Sequence, residues 1–440
     1  MLVRRAIALL AIGAAGATVL SSTKTYAGGF ALREQSAYGE GASYAGVAAG
    51  GVLSSMFWNP ATMTQMPGIQ TEVVATAVFP YAANNPTGGP LLVFGGTGNT
   101  GDSAVVPSIY ASWQISPDWW VGLSVNSPFG LSVSFPELWA GRDYGNNDNH
   151  LRTYNATPSI AYRINNWISV GLGIQVQYAD ALLNKGISAG APPFPDFTLS
   201  GNGWGWGLTA GVTLTPTPFT TIGLGYRSAI NQKIDGNMNV TGILAPVSTN
   251  GAASTTLKLP DTISLGIRQR LDPRWTVMGT FEWTNWSRIG TSTVHQGSGA
   301  PSTVAGIPVT LPFQFKDGWF GSLGVEYQCS PEWMVRAGVG YEKSPVSDTV
   351  RIPILPDNDR FWLSAGASYK INRALSFDIA YSHLFVKDAP IDISPASGNP
   401  WFDGVVYQGN VKAHVDIVSL ALRYRWDEPA PVVKTSIPRK

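Results

Sequence analysis

Charge is scarce in this chain. Only 13% of its 440 residues are Asp, Glu, Lys or Arg, and they sum to a net charge of +1. So neutral a balance creates no field to hold a polyanion, which argues against a nucleic-acid partner. Cysteine is nearly absent: Cys329 stands alone, so no disulfide can form within the chain. Histidine is limited to His150, His295, His383 and His414. None has the paired spacing of a metal site, and no cofactor or metal is expected. His383 follows Ser382, but neighbours on a strand point to opposite faces, so they make no catalytic dyad. No glycine-rich phosphate loop leads into a helix, and the chain is not expected to be an enzyme. Long apolar runs are missing beyond the N-terminus. A membrane helix, which needs about 20 consecutive apolar residues, is therefore excluded there.

What is abundant is glycine, with 49 residues, and tryptophan, with 16. An aromatic-rich, glycine-rich chain of near-neutral mean hydropathy suits a membrane β-barrel, in which apolar and small or polar residues alternate. A soluble all-β protein shares these bulk features. The N-terminus carries Arg4 and Arg5, an apolar stretch from Ala6 to Leu20, and Thr25-Tyr26-Ala27 as a small-x-small site. This pattern predicts a signal peptide over 1–27, with cleavage leaving Gly28-Gly29-Phe30 as the new terminus.

The centre of the chain repeats one unit of strand, short turn, aromatic, strand and long polar connection. Short turns fall at Ser116-Pro117-Asp118-Trp119, Asn165-Asn166-Trp167, Thr215-Pro216-Thr217-Pro218-Phe219, Asp272-Pro273-Arg274-Trp275, Ser330-Pro331-Glu332-Trp333 and Asn372-Arg373-Ala374-Leu375. Pro, Asn and Asp favour tight reversals, and an aromatic just beyond the turn suits an interfacial girdle. Flanking segments alternate. Ile168, Val170, Leu172, Ile174 and Val176 oppose Ser169, Gly171, Gly173 and Gln175. Leu375, Phe377, Ile379 and Tyr381 oppose Ser376, Asp378, Ala380 and Ser382.

This spacing predicts strands over 69–80, 104–116, 119–135, 151–164, 167–181, 203–214, 219–230, 257–271, 275–287, 318–329, 333–343, 359–371, 375–386 and 411–426. They number fourteen, an even count as a transmembrane antiparallel barrel requires. Long connections over 81–103, 136–150, 182–202, 231–256, 288–317, 344–358 and 387–410 then face outward. The last strand alternates and ends at Trp426, like the signal read by the barrel-insertion machinery. The Pro-rich stretch 427–440 is expected to be a disordered periplasmic tail.

Residues 28–68 do not alternate and are rich in Gly, Ala and Ser, with Asn59-Pro60-Ala61 near their end. Two arrangements fit: a plug within the lumen, or a flexible periplasmic extension. Arg163, Arg227, Arg268, Arg270, Glu282, Glu326, Arg336 and Asp378 fall on the polar parity of the strands. They could pair with one another across strands, as Glu326 with Arg336, or form a network that holds a plug.

Several segments together resemble one family. They are Gly29-Phe30, the run Gly39 to Gly46, Asn59-Pro60-Ala61, Asn126-Ser127-Pro128-Phe129-Gly130-Leu131, Trp139-Ala140-Gly141-Arg142, Tyr226-Arg227-Ser228, Ser344-Pro345-Val346 and Pro356 to Gly366. In order and over Gly29 to Trp426, the chain is similar to the FadL-like outer-membrane transporters of long-chain fatty acids and aromatic hydrocarbons. The resemblance implies an all-β fold: a fourteen-stranded barrel over 69–426, closed by an N-terminal hatch over 28–68. It implies passive carriage of hydrophobic small molecules, in the first place long-chain fatty acids. Aromatic hydrocarbons are the alternative. A general porin and a surface adhesin rank lower.

The implied route runs from the outer loops to a pocket beside the hatch near Phe30, then sideways at a kink in the third strand. That kink falls at Ser127, Pro128, Phe129 and Gly130. Local physics agrees, because Pro128 removes a ladder donor and Gly130 permits an irregular backbone. Lys185 occupies a basic position that in fatty acid members meets the carboxylate. A second family lysine is replaced by an apolar residue near Leu311, and the loop 182–202 is shorter than in enteric members. Arg360, Phe361 and Trp362 are expected to be architectural, an arginine with two aromatics at the outer interface. The expected partners are the hydrophobic substrate, outer-membrane lipid and the insertion machinery, with the chain a monomer.

Overall fold

The computed structural model describes residues 28–187, 195–241, 250–297, 299–304 and 307–427. The predicted signal peptide and nearly all of the predicted tail lie outside the described residues. Fourteen antiparallel strands close into a barrel. They are β1 (Ile69–Gly88), β2 (Ala104–Ser116), β3 (Trp119–Asn126 and Gly130–Ser134), β4 (Asp148–Arg163), β5 (Ile168–Gly186), β6 (Asp196–Thr217) and β7 (Thr220–Arg227 and Ile230–Thr241). Then come β8 (Gly251–Leu259 and Thr262–Arg270), β9 (Trp275–Thr284), β10 (Gly318–Gln328), β11 (Trp333–Lys343), β12 (Arg360–Lys370), β13 (Leu375–Val386) and β14 (Tyr407–Arg425). Closure is made by β1 against β14, in register from Gln70 opposite Arg425. A closed sheet leaves no unpaired edge, the condition for crossing lipid with strands.

The short turns form because their polar side chains cap the reversing backbone. Asp272 Oδ1 accepts from the amides of Arg274 (2.7 Å) and Trp275 (2.8 Å), and Asn372 Oδ1 from Ala374 (2.8 Å) and Leu375 (2.9 Å). At three of the turns the aromatic that follows packs at a tilt against its cross-strand neighbour. Trp119 lies 4.5 Å from Tyr162, Trp275 4.5 Å from Tyr327 and Trp333 4.6 Å from Tyr369. A second belt, with Trp319 on Tyr341 and Phe361 near Phe385, rings the opposite end. Between the belts the outward positions are apolar, among them Leu172, Leu224, Leu323 and Leu420, all exposed.

The strands on one side run further than the sequence pattern predicts. Segments 231–241 and 251–256, expected as one long loop, are strands, and β1, β5, β6 and β14 also extend outward. The reason is an inversion of the pattern. Along β7 below its break, Leu224 and Tyr226 face out. Above the break Ile230, Ile234, Met238 and Val240 are buried inside, while Asn231, Lys233 and Asp235 face solvent. Breaks at Ser228-Ala229 in β7 and at Pro260-Asp261 in β8 switch the parity. Beyond the lipid band, apolar residues gain by turning inward.

Residues 28–66 run through the barrel interior and are almost all buried. They form a helical turn, Ala37–Glu40, and three 3-10 turns, Val47–Ala49, Leu53–Phe57 and Pro60–Gln65. The barrel wall makes room with glycine. A Cβ on Gly223 would lie 1.8 Å from Ala48 O, and one on Gly338 2.2 Å from Ala42 O. Glycine on the inward parity of these strands therefore lets a second layer of backbone approach the wall.

Candidate functional site

Asn59 anchors the interior segment. Its Oδ1 accepts from Ala61 N at 3.0 Å, capping the Pro60–Gln65 turn, and its Nδ2 donates to Ala48 O at 2.8 Å and Val212 O at 2.9 Å. Pro60 follows as the first residue of that turn, where no amide donor is required. Ala61 lies against Gly171 of β5, where a Cβ would come within 2.4 Å of Ala61 N.

Charges on the barrel's inner face reach the same segment. Arg33 pairs with Glu282 at 2.6 Å and Glu342 at 3.4 Å. Arg268 donates to Tyr38 Oη at 3.2 Å, and Arg336 lies 3.8 Å over the Tyr38 ring. Arg163 donates to Thr64 O and Arg227 to Phe57 O. Cross-strand pairing also occurs, but with other partners than expected. Glu326 stands opposite Arg336 in register, yet its carboxylate bonds Arg268 at 2.6 Å, while Arg336 lies 3.8 Å from Asp378. Burial pushes the Glu34 carboxyl up to about 7 and that of Glu40 up to about 8. Both sit inside the barrel on the N-terminal segment, where desolvation penalises the charged form.

At the long-connection end lies a cavity, partly open to solvent, with about 880 Å³ of empty space. Its walls come from the outer strand portions and from three connections. They include Leu183 of β5, Leu199 of β6, Ile234 of β7 and Leu257 of β8, with Leu311, Ile354 and Trp401. Phe30 forms its floor. The ring meets Trp286 at 4.8 Å, Phe313 at 6.2 Å and Phe129 at 6.2 Å, all edge to face. Polar lining is confined to groups such as Asn149, His150, Ser200 and Thr255, and no Lys or Arg is among the described residues that line it. This apolar lining with a few polar groups suits a mostly apolar small molecule.

Lys185 does not line this cavity, contrary to the expectation for it. Its Nζ is held by Asp403 of a facing connection at 2.9 Å, with both side chains about one-third exposed. Leu311, near which a family lysine is replaced by an apolar residue, does line it. Sequence reasoning missed the β7 and β8 contributions because they fell within a supposed loop. Ile234 and Met238 alternating with Lys233, Asp235 and Asn239 carried the signal.

The third strand breaks at Ser127, Pro128 and Phe129, between its two pieces. On β4 only Thr153 and Tyr154 lie opposite, between the Asn126–Asn155 and Gly130–Arg152 pairs. On the other flank, β2 pairs with β3 only from Ile109 onward. The interior segment supplies bonds here: Leu32 N donates to Pro128 O at 2.8 Å and Gly130 N to Phe30 O at 2.9 Å. A smaller cavity of about 600 Å³ adjoins the break, lined by Pro128, Phe129, Arg33, Arg227 and Glu282 among others.

Arg360 is buried, facing Asp357 and Glu342. Phe361 faces outward, but Trp362 does not sit at the outer interface as expected. Neighbours on a strand face opposite ways, so Trp362 points inward. It donates to Glu342 at 3.2 Å and packs edge-on against Tyr44 of the interior segment.

A closed fourteen-stranded sheet with an apolar exterior between two aromatic belts defines an outer-membrane β-barrel. The family model described as "outer membrane protein transport protein (OMPP1/FadL/TodX)" matches residues 18–426, and the chain belongs to that family. It is similar to the long-chain fatty acid transport protein of Escherichia coli (strain K12), at 28% identity over 436 residues, covering 88% of this chain and 95% of that protein. In structure it resembles a Pseudomonas aeruginosa FadL homologue, with TM-score 0.81 at 22% identity over 91% of this chain and 100% of that one. It also resembles the P. putida toluene transporter TodX, with TM-score 0.64 at 17% identity over 86% and 95%. The two structural likenesses speak to the fold alone.

Proposed function

We propose that this protein carries hydrophobic small molecules passively across the outer membrane, long-chain fatty acids in the first place. The observation that carries the reading is the apolar cavity floored by Phe30, in a member of a family of outer-membrane transport proteins. In this account residues 28–68 are a hatch within the barrel of residues 69–426. A ligand captured among the outer connections enters the cavity, passes Phe30 and leaves sideways at the β3 break. The missing β2–β3 pairing supports that exit, since a lateral opening delivers a greasy molecule to lipid without a water crossing. Binding and gradient suffice to drive the step, and no bond is made or broken. The chain acts as a monomer, inserted by the machinery that reads the alternating last strand up to Trp426.

A second reading, a channel for aromatic hydrocarbons, is favoured by the absence of Lys and Arg among the described residues of the cavity lining and by Leu311 within it. A general porin is disfavoured by the filled lumen. Displacement of a fluorescent long-chain fatty acid from the purified barrel tests the choice. Displacement by oleate supports the first reading, and displacement by toluene alone supports the second. Failure of both to compete would remove the carriage hypothesis.

A further inference from the structure

Beneath Phe30 the character of the interior changes. Among the described residues the upper cavity has no cation in its lining, so a carboxylate there would meet no opposite charge from them. The smaller cavity next to the β3 break is different. Phe129 and Leu32 bound it on one side, and Arg33, Arg227 and Glu282 face it. Phe30 stands between the two compartments, since it floors the upper one while its chain neighbour Ala31 lines the lower.

One cation of the lower compartment stands outside its ion pairs. Glu282 is fully engaged, with Oε1 on Arg33 at 2.6 Å and Oε2 accepting from Ser264 at 2.5 Å. Arg33 has a second carboxylate, Glu342, at 3.4 Å. Arg227 has none within ion-pairing distance among the described residues. It donates to Phe57 O at 3.0 Å and to Gln175 Oε1, and its guanidinium lies 4.2 Å over the Phe57 ring. These neutral acceptors orient the group without neutralising it. A guanidinium fixed in a plane, with donors to spare, is suited to a carboxylate.

We propose that Arg227 receives the carboxylate headgroup of an amphipathic ligand in the compartment below Phe30, while the hydrocarbon tail lies in the apolar cavity above. This rests on the carriage reading and makes Arg227, not Lys185, the residue that separates acids from neutral hydrocarbons. Headgroup capture beside Pro128 and Phe129 also brings the ligand to the β3 break before it leaves.

The test is direct binding of radiolabelled oleate and of methyl oleate to the purified full chain, with folding checked by circular dichroism. Wild type is expected to bind oleate more tightly than the ester. Arg227→Gln should weaken oleate by about tenfold or more, the scale of a lost charge-assisted bond, and leave the ester unchanged. Arg227→Lys should restore most of the oleate affinity. Equal loss of both ligands would make Arg227 a mere support of Phe57 and overturn the proposal, as would unchanged oleate binding. Wild type that binds the ester but not oleate would refute Arg227 alone, whereas binding of neither ligand would remove the carriage reading as well.

Discussion

Asn59→Ala should loosen the interior segment without unfolding the barrel. The side chain is wholly buried and joins three pieces of backbone: the Pro60–Gln65 turn, Ala48 and β6. Loss of the capping bond costs about 0.5–2 kcal/mol. Leaving the buried Ala48 carbonyl without its donor adds roughly 1–3 kcal/mol. A combined loss of about 3 kcal/mol raises the detached population about a hundredfold. Hydrogen–deuterium exchange resolves this by segment. Amides from Ala48 to Thr64 should exchange about a hundredfold faster, whereas those of β12 and β13 should not change. Asn59→Asp makes a sharper companion. It keeps the capping acceptor but turns a carboxylate toward Ala48 O and Val212 O, and should loosen the segment at least as much. Unaltered exchange over residues 48–64, or a uniform rise over the whole barrel, would refute the anchoring argument.

The seat of the segment should also depend on pH. Glu34 faces Arg33, Arg360 and Glu342, and Glu40 faces Ser419, Ser382 and Glu34. Burial raises both carboxyls above their value in a detached segment, so the seated form holds more protons. Seating is then strongest near pH 4.5, weakens as pH rises to about 8 and is level above that. Proteolysis of the segment in the folded barrel should accelerate from pH 5 to pH 8, and Glu40→Gln should flatten that dependence; an unchanged profile in the variant would count against the assignment. Replacing Pro128 and Gly130 together by Val should let β3 run through and slow uptake of labelled fatty acid. Normal uptake by a folded variant would reject the lateral exit.

Much of the barrel was readable because two rules repeat along the chain. Ile168 to Val176 alternates with Gly and Ser, and Asp272 and Asn372 mark reversals whose capping needs only local atoms. The outer thirds of β7 and β8 were not readable in the same way. There the buried side is apolar and the exposed side polar, the reverse of the lipid-facing strands, and the switch occurs at Ser228-Ala229 and Pro260-Asp261. The site was harder. Phe30 and the Pro128 region came from resemblance and local backbone chemistry. The sequence offers Lys185 as a cation, but nothing local in it announces Asp403, distant in sequence, which holds it at 2.9 Å. Glu326 could be set opposite Arg336 by strand counting, but its choice of Arg268 depends on side-chain reach across the lumen. The cavity walls at Ile354 and Trp401 come from connections with no periodicity to announce them.

The most direct test of the account is uptake of labelled oleate and of labelled toluene by cells that lack their own hydrophobic-substrate transporter, with and without this chain in the outer membrane. The account predicts that the chain accelerates entry of at least one of the two, and that filling the cavity through Leu257→Trp abolishes the gain. Entry no faster than in empty cells, with the barrel folded in the membrane, would contradict it.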